Sequence, residues 1–327
     1  MNIFSKKLLL SAKTDKYEAY TINWSSGDMF ELLGDVTDLS KTFSPEYSYS
    51  NLYVYNGDMY IATNKITNSG KVTAVTGRSG LVIFYVEDGK LYNYNFSTQT
   101  ATQIGNDTTW YAVCGYTSGN YKGFAANSDG LYYLNTNSVV KVSDVTNWDL
   151  IVGTGMTTTT GRYGYGISEG KLYRLTAYED GAIQIGSSTD WSNVCGGRYG
   201  SNGYSFGINL GRLYSLATGA TQIGSDNTWT DISGYALSNY RGLGVSDGKL
   251  YILGSSTATQ VGSATNWIGC SGYATGTEYG LAYTTDALYG ILSDGTTIKI
   301  MDGEFVYVGG MISSSISSSY GVVIKKK

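Results

Sequence analysis

Apolar and polar residues alternate along most of this chain in short runs broken by glycine turns, and the runs recur. The clearest unit starts with Trp229-Thr230-Asp231-Ile232-Ser233-Gly234 and continues through Tyr240-Arg241-Gly242-Leu243-Gly244-Val245. It then reads Asp247-Gly248-Lys249-Leu250-Tyr251 and ends at Thr259-Gln260-Val261-Gly262. Period-2 alternation over so few residues predicts strands, four to a unit. The pairs Asp88-Gly89, Asp129-Gly130, Glu169-Gly170 and Asp247-Gly248 fall between the second and third runs. An acidic residue followed by glycine there predicts a tight hairpin, because glycine supplies the positive φ that such turns need.

Two markers fix the period. Tryptophan recurs at 110, 148, 191, 229 and 267, and the tyrosine of a Leu-Tyr pair at 92, 132, 173, 214, 251 and 289. Four short strands cannot bury both faces of their own sheet. Repeated every 40 residues or so, about 38–41 per unit, they can stack radially, each sheet covering the next. The fold predicted is therefore an all-β, closed propeller of seven or eight four-stranded blades. A solenoid would repeat at shorter intervals. One domain is expected over 1–327, with irregular repeats in 1–70, regular ones in 71–303 and closing strands in 304–327. Gly57-Asp58-Met59-Tyr60 and Gly27-Asp28-Met29-Phe30 read as degenerate third strands. The last unit has no Leu-Tyr strand, so the N-terminus must complete it, through Lys7–Ser11 or the hairpin around Met29-Phe30.

Composition agrees with strands and turns: 44 Gly, 31 Tyr and one Pro. A net charge of −4 offers no basic surface for phosphates, so no nucleic-acid partner is expected. No apolar run is long enough to span a bilayer, and the run at Leu8-Leu9-Leu10 stops before Lys13, Asp15 and Lys16. Neither a signal peptide nor membrane insertion is expected. Lys6-Lys7 and Lys325-Lys326-Lys327 read as solvated termini. Cys114, Cys195 and Cys270 stand three or four residues after Trp110, Trp191 and Trp267, which puts them in different units as separate buried thiols.

Val113-Cys114-Gly115 with Asp129-Gly130-Leu131-Tyr132, and Val194-Cys195-Gly196 with Gly211-Arg212-Leu213-Tyr214 and Gln222-Ile223-Gly224, resemble the repeats of the regulator of chromosome condensation family. So does the unit from Trp229 to Gly262. The resemblance covers residues from about 70 to 325 and implies a propeller of about seven blades. Members of that family usually carry a histidine beyond the Cys-Gly pair. This chain has no histidine, so the resemblance does not bring the exchange activity with it.

The lack of histidine also removes histidine triads and histidine metal sites, and no Gly-Lys-Ser or Gly-Lys-Thr closes a phosphate loop. Paired carboxylates could still cleave a glycan. However, Asp88, Asp129, Glu169, Asp247 and Asp286 follow the repeat, as turn residues do, whereas an active site breaks it. A non-enzyme with no cofactor and no metal is expected. The sharper signal is in the segments joining the first and second strands, which carry Tyr116, Tyr121, Tyr163, Tyr199, Tyr204, Tyr235, Tyr240, Tyr273 and Tyr279 among Ser, Asn and Gly. Pseudo-symmetry puts these segments on one face, and that mixture suits binding because Tyr is rigid and amphipathic. The composition suggests a bacteriophage virion or tail protein, made in the host cytoplasm, that holds another virion protein or a host-surface glycan or protein. An intracellular interaction scaffold and a carboxylate-dependent glycan hydrolase are the alternatives.

Overall fold

The computed structural model describes residues 15–22, 30–45, 52–76, 82–115, 123–153, 164–177, 180–196, 205–216, 219–234, 242–275, 278–292, 294–311 and 320–327, with backbone alone at 273–275, 278–279, 310–311 and 320. Apart from a 3-10 turn at Leu39–Lys41, the regular elements described are strands, in eight antiparallel sheets. Seven sheets have four strands. The first has three, Leu52–Tyr55, Asp58–Ile61 and Asn64–Lys65, and the place of its innermost strand is marked by a bridge from Phe43 to Val54. We number the blades from this one. Blades 2 to 7 open with the strands Val72–Val75, Ala112–Gly115, Trp148–Gly153, Trp191–Cys195, Trp229–Gly234 and Trp267–Thr275.

Blade 8 is shared between the two ends of the sequence. Phe305–Met311 and Tyr320–Lys326 are its first and second strands, and Tyr17–Ile22 and Phe30–Asp35 its third and fourth. The hairpin around Phe30 is thus the donor that the incomplete last unit requires. Lys7–Ser11 lies outside the described residues. Phe30 itself opens a fourth strand, so Gly27-Asp28-Met29-Phe30 is not a degenerate Leu-Tyr unit; Tyr17–Ile22 takes that role. Asp58–Ile61 is a third strand, as its pattern predicts.

Eight clusters of buried residues lie one at each seam. Leu52 shares a cluster with Ile83, Phe84 with Trp110, Phe124 with Trp148, Ile167 with Trp191, Phe206 with Trp229, Leu243 with Trp267 and Leu281 with Phe305. The eighth joins Ala19, Tyr307 and Ile324 of blade 8 to Tyr53 of blade 1, which closes the ring. The chain is an eight-bladed β-propeller, one blade more than the family resemblance implies. Cys114, Cys195 and Cys270 are buried, each at a different seam.

The two sequence markers are one contact. Each marker tryptophan packs on the Leu-Tyr tyrosine of its own blade, with ring centroids 4.9 Å apart for Trp110–Tyr132 and 5.0 Å for Trp229–Tyr251. To reach strand three the indole crosses strand two, and the residue beneath it must be small. A Cβ on Gly244 would stand 2.8 Å from Cζ3 of Trp229, and one on Gly166 2.6 Å from Cζ3 of Trp148. Blades 1 and 2 lack the tryptophan and reverse the arrangement. Tyr53 and Tyr85 occupy the strand-two position and stack on Tyr60 and Tyr92 at 5.1 and 5.2 Å. Burial pushes the Tyr85 phenol well above its usual range.

The turns between strands two and three latch each blade to the next. Asp88-Gly89, Glu169-Gly170 and Asp247-Gly248 have both residues at positive φ, the geometry of a type I′ turn. Each glycine carbonyl then accepts the N–H that opens the following blade, from Trp110, Trp191 and Trp267 at 2.9, 2.9 and 2.8 Å. Asp129-Gly130 departs from this, because only the glycine has positive φ; the N–H of Trp148 donates instead to the Tyr111 hydroxyl at 3.0 Å. A methyl on Gly248 (φ +67°) would lie 2.2 Å from the Thr265 carbonyl oxygen. Gly248→Ala should therefore cost about 1–3 kcal/mol. Asp247→Asn, at a φ that asparagine tolerates, should stay within about 0.5 kcal/mol. Thermal unfolding of the two variants checks this.

Candidate binding face

At the opposite end of the blades, the first strand passes to the second between facing glycines. The pairs are Gly115 and Gly123, Gly153 and Gly164, Gly234 and Gly242, Gly272 and Gly280, and Gly310 and Gly321. The reason is crowding of the innermost strands: a Cβ on Gly153 would stand 1.6 Å from the carbonyl oxygen of Gly115, and one on Gly234 2.4 Å from that of Gly196. Only backbone fits where neighbouring strands approach so closely. Further along, the N–H of Gly272 donates to Oγ of Ser233 at 2.7 Å. The segments that join these strands therefore begin and finish side by side at one end of the ring.

Of the tyrosines expected on that face, Tyr116, Tyr121, Tyr163, Tyr199, Tyr204, Tyr235 and Tyr240 lie outside the described residues. Tyr273 falls in the strand Trp267–Thr275 and Tyr279 in Glu278–Thr284, with their side chains outside the description. In blade 7 the two strands thus run on through both tyrosines.

The structure adds a group that breaks the repeat. One position of the innermost strand is occupied in turn by Phe43, Ala74, Ala112, Leu150, Asn193, Asp231, Gly269 and Tyr307, as their partners on the second strands show. Blades 1 to 4 carry apolar residues there, and the other arc turns polar. Asp231, 9% exposed, accepts from the Cys270 N–H of blade 7 at 3.0 Å. In blade 7 the glycine makes room for Tyr283 from the second strand, whose hydroxyl donates to the Val306 carbonyl of blade 8 at 3.2 Å. The Tyr307 hydroxyl accepts from the Ser44 N–H of blade 1 at 3.1 Å. Burial first, and the nearby Asp231 second, push the Tyr283 phenol far up, so it stays a neutral donor.

These groups tie blades 6, 7, 8 and 1 together around the axis. Aspartate two residues after the tryptophan, where other units carry Ala, Leu, Asn or Gly, was the sequence signal for this arc. The acidic turn residues occupy the other end; the Lys71 ammonium beside Asp88, 2.9 Å away, holds that exposed carboxyl below its usual range. Among the described residues no group of three or more Cys, Asp or Glu is placed to hold a metal ion, and no helix is long and apolar enough to cross a membrane.

No protein-family model matches the sequence. Nor does any curated protein. Among solved structures the fold is similar to BamB from Moraxella catarrhalis, with a TM-score of 0.51 and 14% identity over 86% of this chain and 95% of that one. It is also similar to PorZ, described as an essential bacterial surface component of the type-IX secretion system of Porphyromonas gingivalis, with a TM-score of 0.50 and 13% identity over 75% of this chain. The match spans about a third of PorZ, 34% of its length. At these identities the likeness is one of fold: this chain is a β-propeller, built on the same architecture as BamB and part of PorZ.

Proposed function

We propose that this propeller is a non-enzymatic binding module that engages its partner through the tyrosine-bearing segments between first and second strands. The observation that supports the reading is the row of facing glycines at one end of the blades, where first strands give way to second ones, while the turns at the other end latch blade to blade. Protein–protein assembly is the broad role. The specific reading is a bacteriophage virion or tail component with repeats like those of the regulator of chromosome condensation family, attaching to a host-surface glycan or a neighbouring virion protein. Its support is compositional: Tyr, Gly, Ser, Thr and Asn in abundance, little charge and no histidine. Flat sugar rings stack well on tyrosine.

The test is an array of bacterial surface glycans probed with the whole chain and with a variant carrying Tyr199→Ser, Tyr204→Ser, Tyr235→Ser and Tyr240→Ser. The reading predicts retention without product release, weakened at least tenfold in the variant. Retention by a cytosolic protein alone would favour a scaffold, and turnover abolished by replacing one carboxylate would overturn the non-enzymatic reading.

A further inference from the structure

The lysines at the C-terminal end of the sequence, read from sequence as solvated, belong to the seam that closes the ring. Lys325 and Lys326 lie in the second strand of blade 8, opposite Glu18 and Tyr17 of the N-terminal hairpin. Lys326 pairs with Asp15 at 3.1 Å and with Glu304 at 3.6 Å, and Lys327 pairs with Asp35 at the far end of the hairpin. The Lys327 ammonium holds the Asp35 carboxyl below its usual range. The strand ends on two bases, Lys325 and Lys326, and Lys327 follows it. The described part of the hairpin carries Asp15, Glu18, Glu31 and Asp35 against the single base Lys16.

Among the described strands, this is also the one place within a blade where the chain does not run on from strand to strand. Five residues, Tyr17 to Thr21, pair in unbroken register with Val322 to Lys326. The same backbone bonds form whichever molecule supplies the hairpin. Its tether to blade 1 is short: Val36, Thr37 and Asp38 separate the hairpin from the 3-10 turn at Leu39–Lys41, with the Thr37 N–H bound to Oδ1 of Asn56 at 2.9 Å. Short hinges of this kind are where domain swapping starts.

We propose that the outward edge of the Tyr320–Lys326 strand is a docking edge for the acidic hairpin Tyr17–Asp35, taken from the same molecule or from a second copy of this chain, and that opposite charge selects it. Intramolecular closure benefits from an effective concentration of about a millimolar, so at micromolar protein the chain closes on itself. A reciprocal two-fold exchange takes over when the charges within one molecule are mismatched.

The experiment uses three full-length variants. In one, Lys325→Glu, Lys326→Glu and Lys327→Glu make strand and hairpin both acidic. In the second, Asp15→Lys, Glu18→Lys and Asp35→Lys make both basic. The third carries all six changes. The two mismatched chains are refolded alone and together at low salt, and mass is read by light scattering. The proposal predicts a one-to-one species of twice the monomer mass only in the mixture, its loss at about 1 M salt where charges are screened, and a monomeric six-fold variant melting close to the parent. A mixture that keeps monomer mass while the six-fold variant folds would overturn exchange between copies. A six-fold variant that does not fold would overturn selection by charge. Neither outcome depends on whether a mismatched chain folds by itself.

Discussion

Deleting residues 1–38 should abolish cooperative folding of the whole ring. The deletion removes two of the four strands of blade 8, and with them Tyr17 and Ala19, which are 7% and 0% exposed, and the partly buried Tyr20, Phe30, Leu33 and Val36. A large apolar side chain contributes about 1.5–3 kcal/mol when buried. Even at partial burial, these residues total roughly 5–10 kcal/mol, which is the size of a domain's net stability of about 5–15 kcal/mol. Blades 1 and 7 would also lose a neighbour. Circular dichroism with thermal scanning should show a broad, non-cooperative loss of signal. A sharp transition within a few degrees of the full chain would mean that the ring closes without the hairpin.

The second large effect is a coupled one in blade 6. Trp229→Val should cost about 3–5 kcal/mol, because the indole fills the space over Gly244 and against Tyr251. Gly244→Tyr alone should cost as much or more, since the new side chain meets the indole. The double variant reproduces the arrangement of blade 2, where Val72 stands in place of the tryptophan and Tyr85 in place of the glycine. It should recover at least about 2 kcal/mol relative to the sum of the single changes. Additive losses in denaturant unfolding would show that the two ways of filling a blade are not interchangeable.

That exchange explains how much of the fold could be read from the sequence. The period was legible from blade 3 onward because tryptophan and Leu-Tyr are the two sides of one contact, and both are rare enough to count. Blades 1 and 2 move the bulk from the first strand to the second, as Tyr53 and Tyr85, which leaves no tryptophan to align; blade 2 was legible only through its Leu-Tyr pair at Tyr92, and blade 1 read as irregular. Blade 8 shows the same volume rule, with Phe305 over Val323, but its third and fourth strands stand some 300 residues away in sequence, at Tyr17–Ile22 and Phe30–Asp35. A local pattern could require a donor and could not choose between two candidates.

What was legible of the candidate site is its flanks. Glycine on both sides of most of the tyrosine-rich segments marks the point where innermost strands crowd, and the facing pairs give those glycines a physical cause; blade 5, with Cys195 opposite Phe206, lacks such a pair. The polar arc of Asp231, Tyr283 and Tyr307 was missed because each residue is ordinary in its own unit and unusual only against its counterparts around the ring. The pairing of the C-terminal lysines was not legible for a related reason: a run of like charge reads only as solvated until the acidic strand opposite it is known.

The central claim is a division of labour between the two ends of the blades, one latching the ring and the other free to bind. The most direct measurement is the melting temperature of a chain in which Tyr116, Tyr121, Tyr199, Tyr204, Tyr235 and Tyr240 are all replaced by serine. Side chains that do not hold the ring together cost at most about 0.5 kcal/mol each, so the account predicts a cooperative transition within several degrees of the parent. A non-cooperative loss of signal like that expected on deleting residues 1–38 would contradict it, because these tyrosines would then be packing between blades.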